Sequence, residues 1–237
     1  MGEVVVKKFR FVAYDQRYFG TKPWPDEGQN FSIATHADDL AKFITSLNAG
    51  PVHLVGWSYG GQVAVTLAVR DPSLIRSLIL YEAGVISVLP AESSEGKIAR
   101  EDLARMFAPV AAASKAGDVI GAAKLLQAAV FQLRPDGFNS LPKDLQTVLL
   151  ENARVLPLML AAPPPPAITC DALKDFTRPT LVMWGEKARP FWALTSKAIA
   201  ECVPGAKQVI LKNVQHDGPV RDPAVFASAV FKFLSTC

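Results

Sequence analysis

Four short apolar runs, each set between stretches of helical period, constrain the possible folds of this chain more than anything else in it. Val52–Val55 (VHLV), Ser77–Tyr81 (SLILY), Thr180–Trp184 (TLVMW) and Gln208–Leu211 (QVIL) read as buried strands. An earlier run, Phe9–Asp15 (FRFVAYD), reads as one more. In Ser32–Leu47 the apolar residues Ile33, Ala37, Leu40, Ile44 and Leu47 recur at helical spacing, and Asn48-Ala49-Gly50-Pro51 stops the helix. Helices are also expected over Gly61–Val69 and Phe191–Cys202. The last one carries Phe226, Ala229, Val230, Phe233 and Leu234. Strands alternating with helices pair in parallel and need cover on both faces. The expected fold is therefore α/β, a mostly parallel sheet with helices on both faces.

The alternation breaks once. From Gly84 to about Met159 the chain is rich in alanine and leucine and shows no strand pattern. Leu125, Leu126, Ala129, Val130 and Leu133 form one apolar stripe; Leu145, Val148, Leu149 and Asn152 begin another. Pro163–Pro166 cannot lie inside a helix and reads as a stiff return linker. The division expected is a core of residues 1–83 and 167–237, with a helical insertion over residues 84–166.

Composition removes several classes of function. The 237 residues are 50% hydrophobic, enough for a sizeable core. The net charge is +3, and no basic run is interleaved with aromatics, so a nucleic-acid partner is not expected. No apolar run approaches membrane-spanning length, and MGEVVVKK lacks the apolar core of a signal peptide. No membrane association is expected, and the location inferred is cytoplasmic. Cys170, Cys202 and Cys237 are odd in number, far apart and without metal-ligand spacing. Reduced thiols and no metal site are expected.

The chemistry concentrates at Gly56-Trp57-Ser58-Tyr59-Gly60, a Gly-x-Ser-x-Gly motif between an expected strand and an expected helix. In that context the serine occupies a sharp, strained turn that lifts its hydroxyl above the sheet edge. Side chains at Gly56 and Gly60 are expected to collide with neighbouring elements. The turn aims the Tyr59 backbone N–H at the oxygen of a bound carbonyl, with Trp57 beside the substrate. A serine hydroxyl needs a base, and the chain has 3 histidines. His36 sits inside the first helix and His53 at the wrong end of its strand, so both read as structural. His216 follows the last strand, at the carboxyl edge where open parallel sheets build their sites.

These features together resemble the α/β-hydrolase superfamily, over a stretch from about Phe9 to the C-terminus. The residues carrying the resemblance are Tyr14-Asp15-Gln16-Arg17 with Gly20, Gly56 through Gly61, and Leu80-Tyr81-Glu82. Further on they are Pro179 through Glu186, His216, and the Pro223, Phe226, Phe233 and Leu234 helix. The resemblance implies the order serine, acid, histidine along the chain and a helical cap between two core strands, where residues 84–166 fall.

Three departures from that pattern stand out. The family's usual Gly-x-x-Asp acid falls on Ala188 in Gly185-Glu186-Lys187-Ala188. Some branches carry the acid at the end of the preceding strand instead, which points to Glu82; Glu186 is the alternative, and Asp217 is too near in sequence to face the ring of His216. A carboxylate at a buried strand end needs a partner, and His216 can be one. Second, the His-Gly segment whose backbone gives the family its second oxyanion donor is absent, since Ala37, Leu54 and Asp217 follow the histidines. Either Gly2 to Val6 forms a strand or the sequence is a shortened form of a longer protein; an open sheet edge would then invite a homodimer. Third, Tyr18 stands where the family often has glycine, and Asp15 and Arg17 are expected to pair beside the pocket.

The expected function is a serine hydrolase acting on a small-molecule substrate, a small, largely apolar ester or lactone, through an acyl-enzyme. Ser58 is nucleophile, His216 base and Glu82 orienting acid, with no cofactor. The alternative is a ligand-binding protein of the same fold with an incomplete oxyanion hole.

Overall fold

The computed structural model describes residues 9–134 and 136–237. The strand considered for residues 2–6 lies outside them. Among the described residues four strands form one sheet: β1 (Val52–Trp57), β2 (Ile75–Tyr81), β3 (Thr180–Gly185) and β4 (Lys207–Leu211), in that spatial order. All three pairings are parallel, with Leu54 opposite Leu78, Leu80 opposite Val182, and Trp184 opposite Ile210.

Alternation of side chains splits the buried strands between two faces. Leu78, Leu80, Val182 and Trp184 face one cluster, built with α1 (Ile33–Ser46), α2 (Ser58–Arg70) and later α8 (Pro190–Cys202). Ile79, Tyr81, Leu181 and Met183 face the other, packed with Phe226, Val230 and Phe233 of α10 (Pro223–Leu234). The sheet is thus covered on both faces, which is why β2 and β3 read as unbroken apolar runs. Truncating Ile79 or Leu80 to alanine in such a core costs about 2–5 kcal/mol. Helix α1 starts where Ser32 caps the Thr35 N–H.

Phe9–Asp15 is not a strand. Phe9 packs on the rings of His53 and Phe231, but Phe11 and Val12 are exposed. A strand is defined by its ladder, and among the described residues β1 pairs with β2 alone. The run is apolar enough for a strand and has no ladder partner among the described residues.

Residues 84–166 contain helices and no strand among the described residues: α3 (Ser94–Lys115), α4 (Val119–Val130), α5 (Lys143–Glu151) and α6 (Leu156–Ala161). The expected stripe residues pack against the apolar clusters but stay partly buried: Leu125 and Leu126 on one, Ala129 and Val130 on a second, Leu133, Leu145 and Leu149 on a third. In α4 the alanines Ala122, Ala123 and Ala128 are the buried residues. In α5 it is Gln146, whose amide donates to the carbonyls of Asn139 and Leu141, while Val148 is exposed. After the proline run comes α7 (Cys170–Lys174).

The cysteine expectation fails. Cys170 of α7 and Cys202 of α8 form a disulfide, their Cα atoms 5.0 Å apart, and Cys237 is free and exposed. The chain fold brings the two together across β3, which no spacing rule reveals. Among the described residues no helix is long and apolar enough to cross a membrane, and no cluster of three metal-ligating side chains occurs.

Candidate active site

Strand β1 hands directly to helix α2 with no intervening loop: Trp57 ends one and Ser58 begins the other. Ser58 has φ +53°, the left-handed region that costs a non-glycine residue strain. A Cβ at Gly56 would lie 2.8 Å from the Gly61 Cα and 2.9 Å from the Ala64 Cβ, so the turn closes only over hydrogen. The second constrained position is Gly61, where a Cβ would meet the Ala83 backbone at 2.8 Å. Gly60, expected to be crowded, has only the Gln16 amide nitrogen nearby, at 3.5 Å.

The histidine arrives from the opposite end of the sheet by a zipped connection. Beyond β4, the Glu186 N–H donates to the Leu211 carbonyl and the Lys187 N–H to that of Val214. The Tyr81 hydroxyl donates to Gln215 at 2.5 Å. Gly185 is glycine because the Val214 carbonyl occupies the place of its side chain. The connection delivers His216, 2% exposed, with Nε2 3.0 Å from Ser58 Oγ.

Glu82 follows β2 with φ +47° and is fully buried. Its Oε2 lies 2.6 Å from His216 Nδ1, and its Oε1 accepts the Gly185 N–H at 2.8 Å. A carboxylate only accepts, so Nδ1 carries the proton and Nε2 is free to accept from the Ser58 hydroxyl. The other acids are engaged elsewhere. Glu186 accepts from the Asn213 N–H at 2.9 Å, and Asp217 pairs with Arg221 at 2.8 Å. Burial raises the Asp217 carboxyl above its ordinary range.

On the other side of Ser58, the Tyr59 N–H belongs to the open first turn of α2, where backbone donors have no helical acceptor. The Tyr59 ring is fixed by His36, whose Nδ1 lies 2.6 Å from its hydroxyl. Burial pushes the Tyr59 phenol well above its usual range and the His36 imidazole below its own. His53, the third histidine, bonds Ser77 at 2.7 Å, away from the site. Asp15 and Arg17 do not pair. Arg17 makes a bidentate bridge to Asp39 of α1, both contacts 2.7 Å, and so holds the loop to the helix. Tyr18 has φ +73°, which accounts for glycine being the usual choice there, and its buried ring is anchored by its hydroxyl to Asp26.

Beside Tyr59 and Gly60 opens a cavity of about 530 Å³, walled by Tyr14, Gln16 and Phe19 on one side and by Val148, Glu151 and Asn152 of the insertion on the other. Asn152 accepts the Gly20 N–H at 2.7 Å, closing that wall. Trp57, expected beside a substrate, is not among the cavity's walls. It packs into apolar clusters, against Phe131 and Phe138 of the insertion among others, with its ring 5.7 Å from that of His216.

Two features escape the sequence reading. Trp192 of α8 stacks on His216, ring centroids 3.7 Å apart and planes 15° from parallel. Asp102 of α3 bridges Arg189 at 2.6 Å and accepts the Phe191 N–H at 3.2 Å. The Asp102 signal was present: an acid on the buried stripe of Ala99, Asp102, Met106 and Val110 demands a buried partner. Trp192 gave no such signal, because an aromatic residue in an apolar helix reads as core.

The model of the alpha/beta hydrolase family matches residues 4–229. The 2-(acetamidomethylene)succinate hydrolase of Mesorhizobium japonicum is 25% identical over 96% of this chain and 79% of its own length. Among solved structures, the enol-lactonase from Burkholderia xenovorans LB400 superposes with a TM-score of 0.73 at 18% identity, over 98% of this chain and 83% of its own. A thermophilic esterase from Thermogutta terrifontis reaches 0.70 at 23% identity, over 99% and 82% respectively. These two likenesses speak for the fold, and the family match spans nearly the whole chain: the protein belongs to the alpha/beta hydrolase family.

Proposed function

We propose that the protein is a serine hydrolase that cleaves a small ester or lactone through an acyl-enzyme. One observation carries the reading: the unbroken relay from Ser58 Oγ to His216 Nε2, 3.0 Å, and from His216 Nδ1 to Glu82, 2.6 Å. Ser58 attacks the carbonyl carbon and its proton passes to His216 Nε2. The resulting imidazolium faces the Glu82 carboxylate, which holds the ring in the reactive tautomer. The Tyr59 N–H, at the positive end of α2, receives the negative oxygen. His216 then returns the proton to the leaving oxygen, and water repeats the sequence to free the acid. No cofactor enters this scheme.

The helices of residues 84–166 act as the cap in this reading, since the cavity beside Tyr59 is walled partly by them. The cavity also bears on the substrate. Tyr14, Phe19 and Tyr59 offer apolar surface, while Gln16 and Glu151 offer polar surface, so a substrate of mixed polarity fits better than a wholly apolar one. The similar proteins named above, an esterase, an enol-lactonase and a 2-(acetamidomethylene)succinate hydrolase, are hydrolases and accord with this reading. A homodimer through β1, whose Val55 is exposed, belongs to the same proposal. The disulfide removes the cysteine argument for a reducing, cytoplasmic location.

The binding-protein alternative draws on one observation: the buried Gln16 Oε1 has no partner among the described residues, so nothing there fixes the Gln16 amide as a second oxyanion donor. A fluorophosphonate probe separates the two readings. The hydrolase reading expects labelling of the wild type and none of Ser58→Ala. A folded wild type that resists labelling and leaves p-nitrophenyl butyrate intact overturns it.

A further inference from the structure

Three contacts on the ring of His216 are close, and the relay explains two of them; the ring of Trp57 lies farther off, at 5.7 Å. Hydrogen bonds at Nδ1 and Nε2 lie in the imidazole plane. They fix the ring's position but leave it free to rock about the line joining the two nitrogens. The third neighbour is the indole of Trp192, nearly parallel at 3.7 Å. A flat partner against the face removes the remaining rotation.

The indole is itself built into place. Trp192 is 3% exposed and lies in the first turn of α8, which opens on Pro190. That helix has no cap of its own: Arg189 supplies no side-chain acceptor at its N-terminus. Asp102 supplies one from α3, accepting the Phe191 N–H at 3.2 Å while bridging Arg189 at 2.6 Å. Gly84, two residues beyond Glu82, leaves the room required: a Cβ there would press on Phe191 at 2.9 Å and on the Trp192 indole nitrogen at 3.3 Å. Ala188, standing at the family's usual acid position, belongs to the same packing cluster as Trp192.

Resting on the serine-hydrolase reading above, we propose that Trp192 is a positioning residue for the general base. It clamps the His216 ring and favours the imidazolium that forms as Ser58 attacks. The quadrupole of an indole face attracts a cation more strongly than a neutral ring. The contact therefore strengthens as the proton moves from Ser58 Oγ to His216 Nε2, and only interactions that strengthen on the way to the transition state raise turnover. Because Asp102 lies in the insertion, the clamp also ties the proposed cap to the base.

The charged and titratable groups around the imidazole are Glu82 beyond β2, Asp217 with its partner Arg221, Tyr81, and Arg189 with Asp102 at the start of α8. The test follows fluorophosphonate labelling and p-nitrophenyl butyrate hydrolysis against pH for the wild type, Trp192→Phe and Trp192→Leu, with circular dichroism as the folding control. The expected result for Trp192→Leu is a fall of about tenfold in kcat/KM, carried by kcat with KM unchanged, and an acid limb moved to lower pH by several tenths of a unit. Trp192→Phe, whose face is a weaker cation partner, falls about threefold; it carries the test if the leucine variant does not fold. A rate that drops with the acid limb unmoved reduces the indole to packing and overturns the proposal, as does an unchanged rate. A wild type that does not label overturns the hydrolase reading and this one together.

Discussion

The two sides of Ser58 are built to different standards. On the histidine side, His216 and Glu82 are sealed in the core, each ring nitrogen and each carboxylate oxygen has a partner, and the delivering loop is zipped to the chain beyond β3. On the Tyr59 side, the elbow borders a cavity, Gly60 touches almost nothing, and the buried Gln16 Oε1 is unpartnered among the described residues. A general base has to lie within hydrogen-bond reach of the proton it takes, and in the proposed hydrolase a substrate would approach from the open side. The difference teaches that one turn is packed tight on one flank and left open on the other.

The comparison breaks first at the nucleophile. Ser58→Ala should lower p-nitrophenyl butyrate turnover by about four orders of magnitude or more while leaving the thermal midpoint unchanged or raised; residual turnover near wild type would mean that the sealed half does no chemistry. Next, Glu82→Gln should cost about a thousandfold or more at fixed pH, since an amide can present its N–H to Nδ1 and select the wrong tautomer. Glu186→Gln should stay within about threefold, because its carboxylate serves the Asn213 N–H and not the ring. A reversal of these two would move the acid to Glu186.

Smaller effects sharpen the contrast in stability. Gly61→Ala presses a methyl group on the Ala83 backbone and should destabilise by about 1–3 kcal/mol in urea unfolding. Gly60→Ala faces the cavity, at 3.5 Å from Gln16, and should be neutral or slightly stabilising, as alanine favours a helix. Equal penalties at the two positions would erase the asymmetry. The smallest effect concerns His36, whose imidazole burial holds below its ordinary value of 6.5. A depressed histidine binds protons more readily when unfolded, so the stability it contributes is full above about 6.5 and is lost as pH falls towards its folded value. His53 is shifted in the same direction. The wild type should therefore lose stability between about pH 7 and 5, and His36→Phe should lose less over that range. Parallel curves for the two proteins would remove His36 from the account.

Much of the core was legible, for a physical reason. A parallel strand covered on both faces must be apolar at every position, so β2 and β3 announce themselves, and the helices between them repeat at the period of their buried stripe. The elbow was legible because strand, serine and helix stand side by side in the chain. His216 was legible from topology, as strand ends gather at one rim. What stayed hidden depends on encounters between distant segments. Phe9–Asp15 has a strand's composition and, among the described residues, no ladder. Cys170 and Cys202 meet only because α7 and α8 pack together. Trp192 looks like any aromatic residue in a core helix until the ring beneath it is known to be a histidine. In the insertion the expected leucines pack against the core only partly buried, and the fully buried positions of α4 are the alanines beside them.

Positions 58 and 82 both hold left-handed backbone, φ +53° and +47°, with side chains that resist it. Such residues cost about 1–3 kcal/mol each relative to a relaxed conformation. Glycine would sit at either place without complaint, and at position 58 it would leave a hardier molecule without the hydroxyl of the proposed relay. Any search for heat-resistant variants that selects on survival alone should drift toward that exchange, so selections on this scaffold have to score turnover and endurance together.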